Sequence, residues 1–256
     1  MATTKSHAWQ RWLVLLFTCI MMIGNYYSYD IPAALHTQLD EYMGKPGNFE
    51  TLFSLLYTVY SVPNIILPFF GGYFVDRLGV RLCLLVFACL ITAGQIIFAF
   101  GVSIKSWPVM LLGRVIFGFG GESLGVGNSA LLSEWFKGKE LAFAFGLNLS
   151  IARLGSVFNN LLSPTLANSA GVQFSLWFGC ILCGASVFSV IMLSSIDKAF
   201  EAGETLHTQL LNEEEEEVDL KGGAAEEEAP PTFRDVLTFP HAFWILVISC
   251  LVVYGT

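Results

Sequence analysis

Gly118-Phe119-Gly120-Gly121-Glu122-Ser123-Leu124-Gly125 is the stretch on which the reading of this chain turns. It lies inside an apolar run from about 108 to 132, which at ~1.5 Å per helical residue is the length that crosses a bilayer. A carboxylate near the middle of a membrane is costly unless it is neutral, paired or wetted. Glu122 therefore marks either a binding site or a buried lock between helices, and the rest of the sequence has to say which.

Working outward, the whole chain has the composition of its centre. Of 256 residues, 54% are hydrophobic and 13% charged, with a mean hydropathy of +0.62. The charged share is about half that of a soluble domain. The sequence predicts an all-α integral membrane protein. Six full apolar spans fall at roughly 11–29, 52–74, 82–102, 108–132, 141–163 and 174–196. A seventh, 241–256, is shorter than the ~20 residues needed to cross, so the chain reads as one piece of a longer protein. The run from Trp12 to Tyr29 is too long for the core of a cleaved signal peptide and reads as the first span.

The net charge of −8 belongs to one segment. Thirteen of the 21 acids lie between Asp197 and Asp235, among only three bases, and the remainder of the chain is slightly basic. With "NEEEEEVD" and "GGAAEEEAPP", residues 197–240 read as an acidic, disordered cytoplasmic linker between the six-span bundle (11–196) and the start of the seventh span. Residues 1–10 form a short polar N-terminus. Placing that N-terminus in the cytoplasm puts nine Lys and Arg on the cytoplasmic side and only Lys45 and Lys105 opposite, which obeys the positive-inside rule.

Depth pairs two charges. Glu122 lies about 14 residues into the fourth span from the outer side, and Arg153 about 12 residues into the fifth from the cytoplasmic side, so both come out near the midplane. Opposite charges at one depth on consecutive helices are natural partners. Helical spacing then groups the polar residues: Gly118, Glu122, Gly125 and Ser129 on one face, Gly146, Ser150, Arg153 and Asn160 on another. Tyr57, Tyr60, Ser61 and Asn64 form a third stripe, and Asn25 and Tyr29 a fourth. Four such stripes build a polar cavity inside an apolar bundle. A fixed negative pole and a fixed positive pole suit a zwitterion, with Arg153 holding a carboxylate and Glu122 an ammonium. The competing reading is a Glu122–Arg153 pair that only locks the packing. The glycines of the fourth span point first to close helix approach.

Other chemistry is excluded or weak. The histidines, at 7, 36, 207 and 241, form no metal cluster, and no nucleophile stands with a base. Cys180 and Cys183 have CxxC spacing, but inside an apolar helix they read as packing. No enzyme, metal site or cofactor is expected.

The short loop Gly72-Tyr-Phe-Val-Asp76-Arg77-Leu-Gly79-Val-Arg81 is more specific than a basic turn. It resembles the signature between the second and third spans of the major facilitator superfamily, and Gly113-Arg114 followed by "VIFGFGG" resembles that family's fourth-span motif. The blocks "YDIPAALHTQ", "EWFKGKEL" and "LSIARLGS" resemble lysosomal dipeptide-transporting members. The resemblance implies the N-terminal six-helix bundle of a twelve-helix facilitator fold. Gly72, Asp76, Arg77, Gly79 and Arg81 would form the gating loop and Arg114 would be structural. It implies export of dipeptides from the lysosome through a multi-pass protein of the lysosomal membrane, with Glu122, Arg153, Tyr57, Tyr60, Tyr29 and Asn25 around the substrate. A glycosylated lysosomal accessory membrane protein is implied as partner, besides the dipeptide and the lipid bilayer, and no nucleic acid. The only Asn-x-Ser/Thr, Asn148-Leu-Ser150, falls within a span, out of reach of glycosylation. Uniport is expected over proton symport, because the first span has no acid before Asp30 and pairing with Arg153 would hold Glu122 ionised. The alternative is a non-transporting half that stabilises or inhibits a longer relative.

Overall fold

Six long helices and one short one account for nearly all of residues 3–216, the part that the structure, a computed structural model, describes; side chains are described from Trp9 to Gly203, apart from positions 65, 66, 68, 69 and 71. They are α1 (Thr3–Ala34), α2 (His36–Met43), α3 (Phe49–Leu78), α4 (Val80–Ser103), α5 (Trp107–Trp135), α6 (Lys139–Ala170) and α7 (Val172–Glu216). Five of them, α1 and α4 to α7, are long and apolar enough to cross a membrane. Five of the six expected apolar runs thus lie within these longer helices, while the one expected at 52–74 lies in α3, which is not among the five. α2 was not foreseen; it is a short polar helix of about two turns, packed through Leu39.

Breaks between helices fall where the backbone needs glycine. Gly79, with φ +85°, ends α3 and opens α4 with no intervening loop. Gly171, at φ +95°, does the same between α6 and α7. A side chain at either position would be strained. The turn at Gly79 is the middle of the signature loop, so Asp76 and Arg77 finish one helix while Arg81 begins the next.

Glycine also sets the spacing within the bundle. A Cβ on Gly113 of α5 would lie 2.5 Å from the Phe98 backbone nitrogen of α4, and one on Gly155 of α6 would lie 2.5 Å from the Ile23 carbonyl of α1. Gly118 approaches the Tyr60 carbonyl of α3 in the same way. α5 thus packs closely on α4 and α3, and α1 on α6. Close approach is the job of most fourth-span glycines; Gly125 alone among those on the Glu122 stripe has open space beside it. The buried apolar side chains gather in three clusters. One is central, around Met21, Phe87, Phe117 and Leu124. One at one end of the bundle includes Tyr27, Phe98 and Met110. The third, at the opposite end, includes Leu15, Leu132 and Phe136.

The chain divides into a compact unit, Met1–Leu210, and a second, Leu211–Thr256, of which only the end of α7 is described. The expected sixth span, 174–196, lies within α7, which outlasts it. α7 continues through Asp197 to Glu216, so this part of the expected disordered linker is helix. Its composition permits that: Ala, Glu, Leu, Lys and Gln dominate, and no proline interrupts. The remaining linker residues, 217–240, and the start of the seventh span, 241–256, lie outside the described residues. Arg81 anchors the extension by pairing with both Asp197 and Glu201. The Trp135 indole donates to Asp197 Oδ1 at 2.9 Å, and its ring packs on Phe200 at 4.7 Å. Asp197 holds two partners and is largely shielded, whereas the Glu201 side chain is 64% exposed. Asp197→Ala is therefore expected to cost about 2 kcal/mol, and Glu201→Ala about 0.5 or less, measured by thermal unfolding in detergent.

Candidate functional site

Glu122 and Arg153 both emerge exposed from the bundle, on α5 and α6. Sequence pairs the two charges by depth and leaves open whether they touch; none of the ion pairs among the described residues joins them. The depth argument fixed each charge along its own helix but not the lateral distance between helices, and α5 and α6 make little direct contact. Each charge is instead received by a tyrosine. The Tyr60 hydroxyl of α3 donates to Glu122 Oε1 at 3.4 Å. The Arg153 guanidinium lies over the Tyr26 ring of α1, 4.8 Å from its centroid.

Between these contacts runs an aromatic wall. Tyr29 of α1 packs on Tyr60 with ring centroids 4.8 Å apart and on Tyr57 at 5.9 Å; Tyr60 continues to Phe117 of α5 at 5.9 Å. Tyr29, Tyr57 and Tyr60 are thus brought together beside Glu122. Asn25 is set back: it is buried, and its amide donates to the Gly121 carbonyl at 3.4 Å, tying α1 to α5 behind Glu122. The Tyr60 ring can lie flat on α5 because Gly121 has no side chain; a Cβ there would stand 2.7 Å from the Tyr60 hydroxyl oxygen.

Sequence reading missed Tyr26, although its i, i+3 spacing to Tyr29 could have placed it on the same face. It also missed the role of Pro32. In a regular helix the residue 32 N–H bonds the Ser28 carbonyl; proline has none, so that carbonyl is free. The fully buried Arg114 reaches across from α5, with Nη2 donating to the Ser28 carbonyl at 3.3 Å and Nη1 to the Tyr29 carbonyl at 3.4 Å. Its guanidinium is sandwiched by Phe98 and Phe117, at 4.5 and 5.3 Å. The Ala33 N–H, next to the break, donates to the Tyr57 hydroxyl at 3.0 Å. Arg114 thus braces α1 and does not face the cavity. Asn148, the lone sequon asparagine, is buried between Asn128, at 2.9 Å, and the Cys19 sulfur.

The residues of the short signature loop stand apart from this cluster. Asp76 and Arg77 are exposed, with Arg77 over the Tyr73 ring, and Arg81 is engaged with α7. Among the described residues no group of His, Cys, Asp and Glu is arranged to hold a metal ion.

Comparison with known proteins adds three findings. The family model described as Major Facilitator Superfamily matches residues 13–256. The lysosomal dipeptide transporter MFSD1 of Homo sapiens is 38% identical over 255 residues, covering 95% of this chain and 51% of the human protein. Its Mus musculus counterpart is 42% identical over 202 residues, 75% of this chain and 43% of the mouse protein. The chain thus spans about half the length of the relatives it matches. A crystal structure of an auto-inhibited POT family peptide transporter superposes with a TM-score of 0.60 over 71% of this chain and 37% of the other, at 16% identity, a likeness of fold.

Proposed function

The chain belongs to the Major Facilitator Superfamily, and on that premise we propose that it forms the six-helix half of a twelve-helix transporter of dipeptides, α3 supplying the sixth span. Transport runs by rocking of two halves about a midplane site. Glu122 takes the peptide's ammonium and Arg153 its carboxylate, and Tyr29, Tyr57 and Tyr60 line the space between. The observation that carries this reading is the separation of the two charges: both face outward from the bundle, neither neutralises the other, and an aromatic wall lies beside them. A buried lock would show the opposite, two charges spent on each other and withdrawn from solvent. The name of the related human and mouse proteins supports dipeptides as cargo and the lysosomal membrane as location.

The same reading orients the N-terminus to the cytoplasm and gives the protein a glycosylated accessory partner in the lysosomal membrane. We favour uniport, because α1 carries no acid except Asp30, near its outer end. The separation of Glu122 from Arg153 removes the pairing argument for uniport, and this one remains. The non-transporting alternative draws no support from the family match.

Thermal unfolding of the purified protein with and without millimolar dipeptide tests the proposal. Wild type is expected to gain about 2.7 kcal/mol of apparent stability at a ligand concentration a hundred times Kd. Glu122→Gln and Arg153→Gln should fold and lose most of that gain, and an N-acetylated dipeptide, which keeps only the carboxylate, should stabilise wild type less than the free dipeptide does. A wild type indifferent to every dipeptide, with variants that unfold on their own, would return the two charges to a packing role.

A further inference from the structure

Glu122 and Arg153 form no ion pair among the described residues, although oppositely charged side chains on long stems attract when partly shielded from water. We propose that Tyr26 and Tyr60 hold Arg153 and Glu122 apart, so that the empty site keeps both charges unspent and spaced for a ligand; Tyr26 is in this sense a positioning residue. The proposal rests on the two-pole reading above and adds what keeps the poles from collapsing.

The chemistry of the two contacts suits that task. A guanidinium stacked on an aromatic ring uses its face and keeps its in-plane N–H donors free. A carboxylate partner would have occupied the donors that must later grip the substrate. Tyr26 therefore steadies Arg153 without consuming it. On the other side the Tyr60 hydroxyl touches only Oε1 of Glu122, which leaves Oε2 to accept an ammonium. Both anchors are packed among neighbours. Tyr26 is half-buried and packed against the central apolar cluster, and Tyr60 is buried between Tyr29, Phe117 and the bare backbone at Gly121. The anchors also come from α1 and α3, whereas the charges come from α6 and α5, so the gap is set by the whole bundle. Preorganisation of this kind lowers the cost of binding, because no internal ion pair has to break first.

Binding of a free dipeptide and of an N-acetylated dipeptide, the latter carrying only the carboxylate, separates the roles. Measured by calorimetry, Tyr26→Leu is expected to weaken both about tenfold, because Arg153 swings onto Glu122 and its donors are taken. Tyr26→Phe, which keeps the ring face, should bind as wild type does. In a Glu122→Gln background there is no charge for Arg153 to fall onto, so Tyr26→Leu should then cost the N-acetylated dipeptide less than about threefold. An equal loss in both backgrounds, or a loss in Tyr26→Phe equal to that in Tyr26→Leu, overturns the proposal and makes Tyr26 a packing residue. If wild type binds the dipeptide and Tyr26→Leu binds it equally well, the proposal fails and the two-pole site stands. If wild type binds no dipeptide, both fail together.

Discussion

Gly113→Leu is expected to abolish the folded protein, while Gly125→Ala, twelve residues along the same helix, is expected to leave it unchanged or slightly more stable. At Gly113 even a Cβ would stand 2.5 Å from the Phe98 nitrogen and 2.8 Å from the Gly94 carbonyl. Those are backbone atoms, which cannot turn aside as a side chain can. α4 and α5 would have to separate along their whole contact, including the reciprocal approach of Gly94 to the Gly113 carbonyl at 2.7 Å. Association of helices within a membrane gains little from the hydrophobic effect and depends on such packing. The expected cost is about 3 kcal/mol or more, well beyond ordinary overpacking of a yielding core. Gly125 has nothing within 4 Å of its would-be Cβ, so alanine there adds helix propensity at no steric cost. Size-exclusion profiles of both variants in mild detergent check the pair. A monodisperse Gly113→Leu at wild-type yield would mean that the α4–α5 contact is looser than its geometry.

The contrast between those two glycines shows where sequence stops informing structure. Both sit in one glycine-dense run, and spacing alone cannot tell a glycine that admits a neighbour from one that opens a cavity. The long helices were legible because lipid-length apolar runs admit few alternatives, and the turn at Gly79 because its motif is tight. Glu122 and Arg153 were legible as isolated charges within apolar runs. Their separation was not, since it depends on Tyr26 and Tyr60, each distant in sequence from the charge it contacts. The helical course of 197–216 was hidden for a related reason. A stretch rich in acids reads as disordered until the countercharge is known, and Arg81, more than a hundred residues earlier, supplies it. Pro32 was in plain view, but a proline announces only a missing donor; which side chain takes the freed carbonyl is decided by Arg114 on another helix.

That last contact yields the second large effect. Arg114→Met is expected to destabilise the protein by about 3 kcal/mol, because two carbonyls at membrane depth, those of Ser28 and Tyr29, lose their donors. Removing a buried charge could in principle stabilise the fold. Here the charge is already compensated by two carbonyl oxygens and two aromatic faces, and the methionine would take the guanidinium donors from those oxygens. The two possibilities separate in a double-mutant cycle with Pro32→Ala. Alanine restores the N–H that a regular helix directs at the Ser28 carbonyl. In that background Arg114→Met should cost less, with a coupling of about 1 kcal/mol or more, whereas residues that act independently would simply add. A cost that is the same in both backgrounds would mean that Arg114 stabilises the bundle through its stacking on Phe98 and Phe117 and not through α1. A coupling of the expected size would identify the break at Pro32 as a joint of α1 completed by α5, so that the segment beyond it, which carries Ala33 to the Tyr57 hydroxyl, is held by neighbours and not by its own helix.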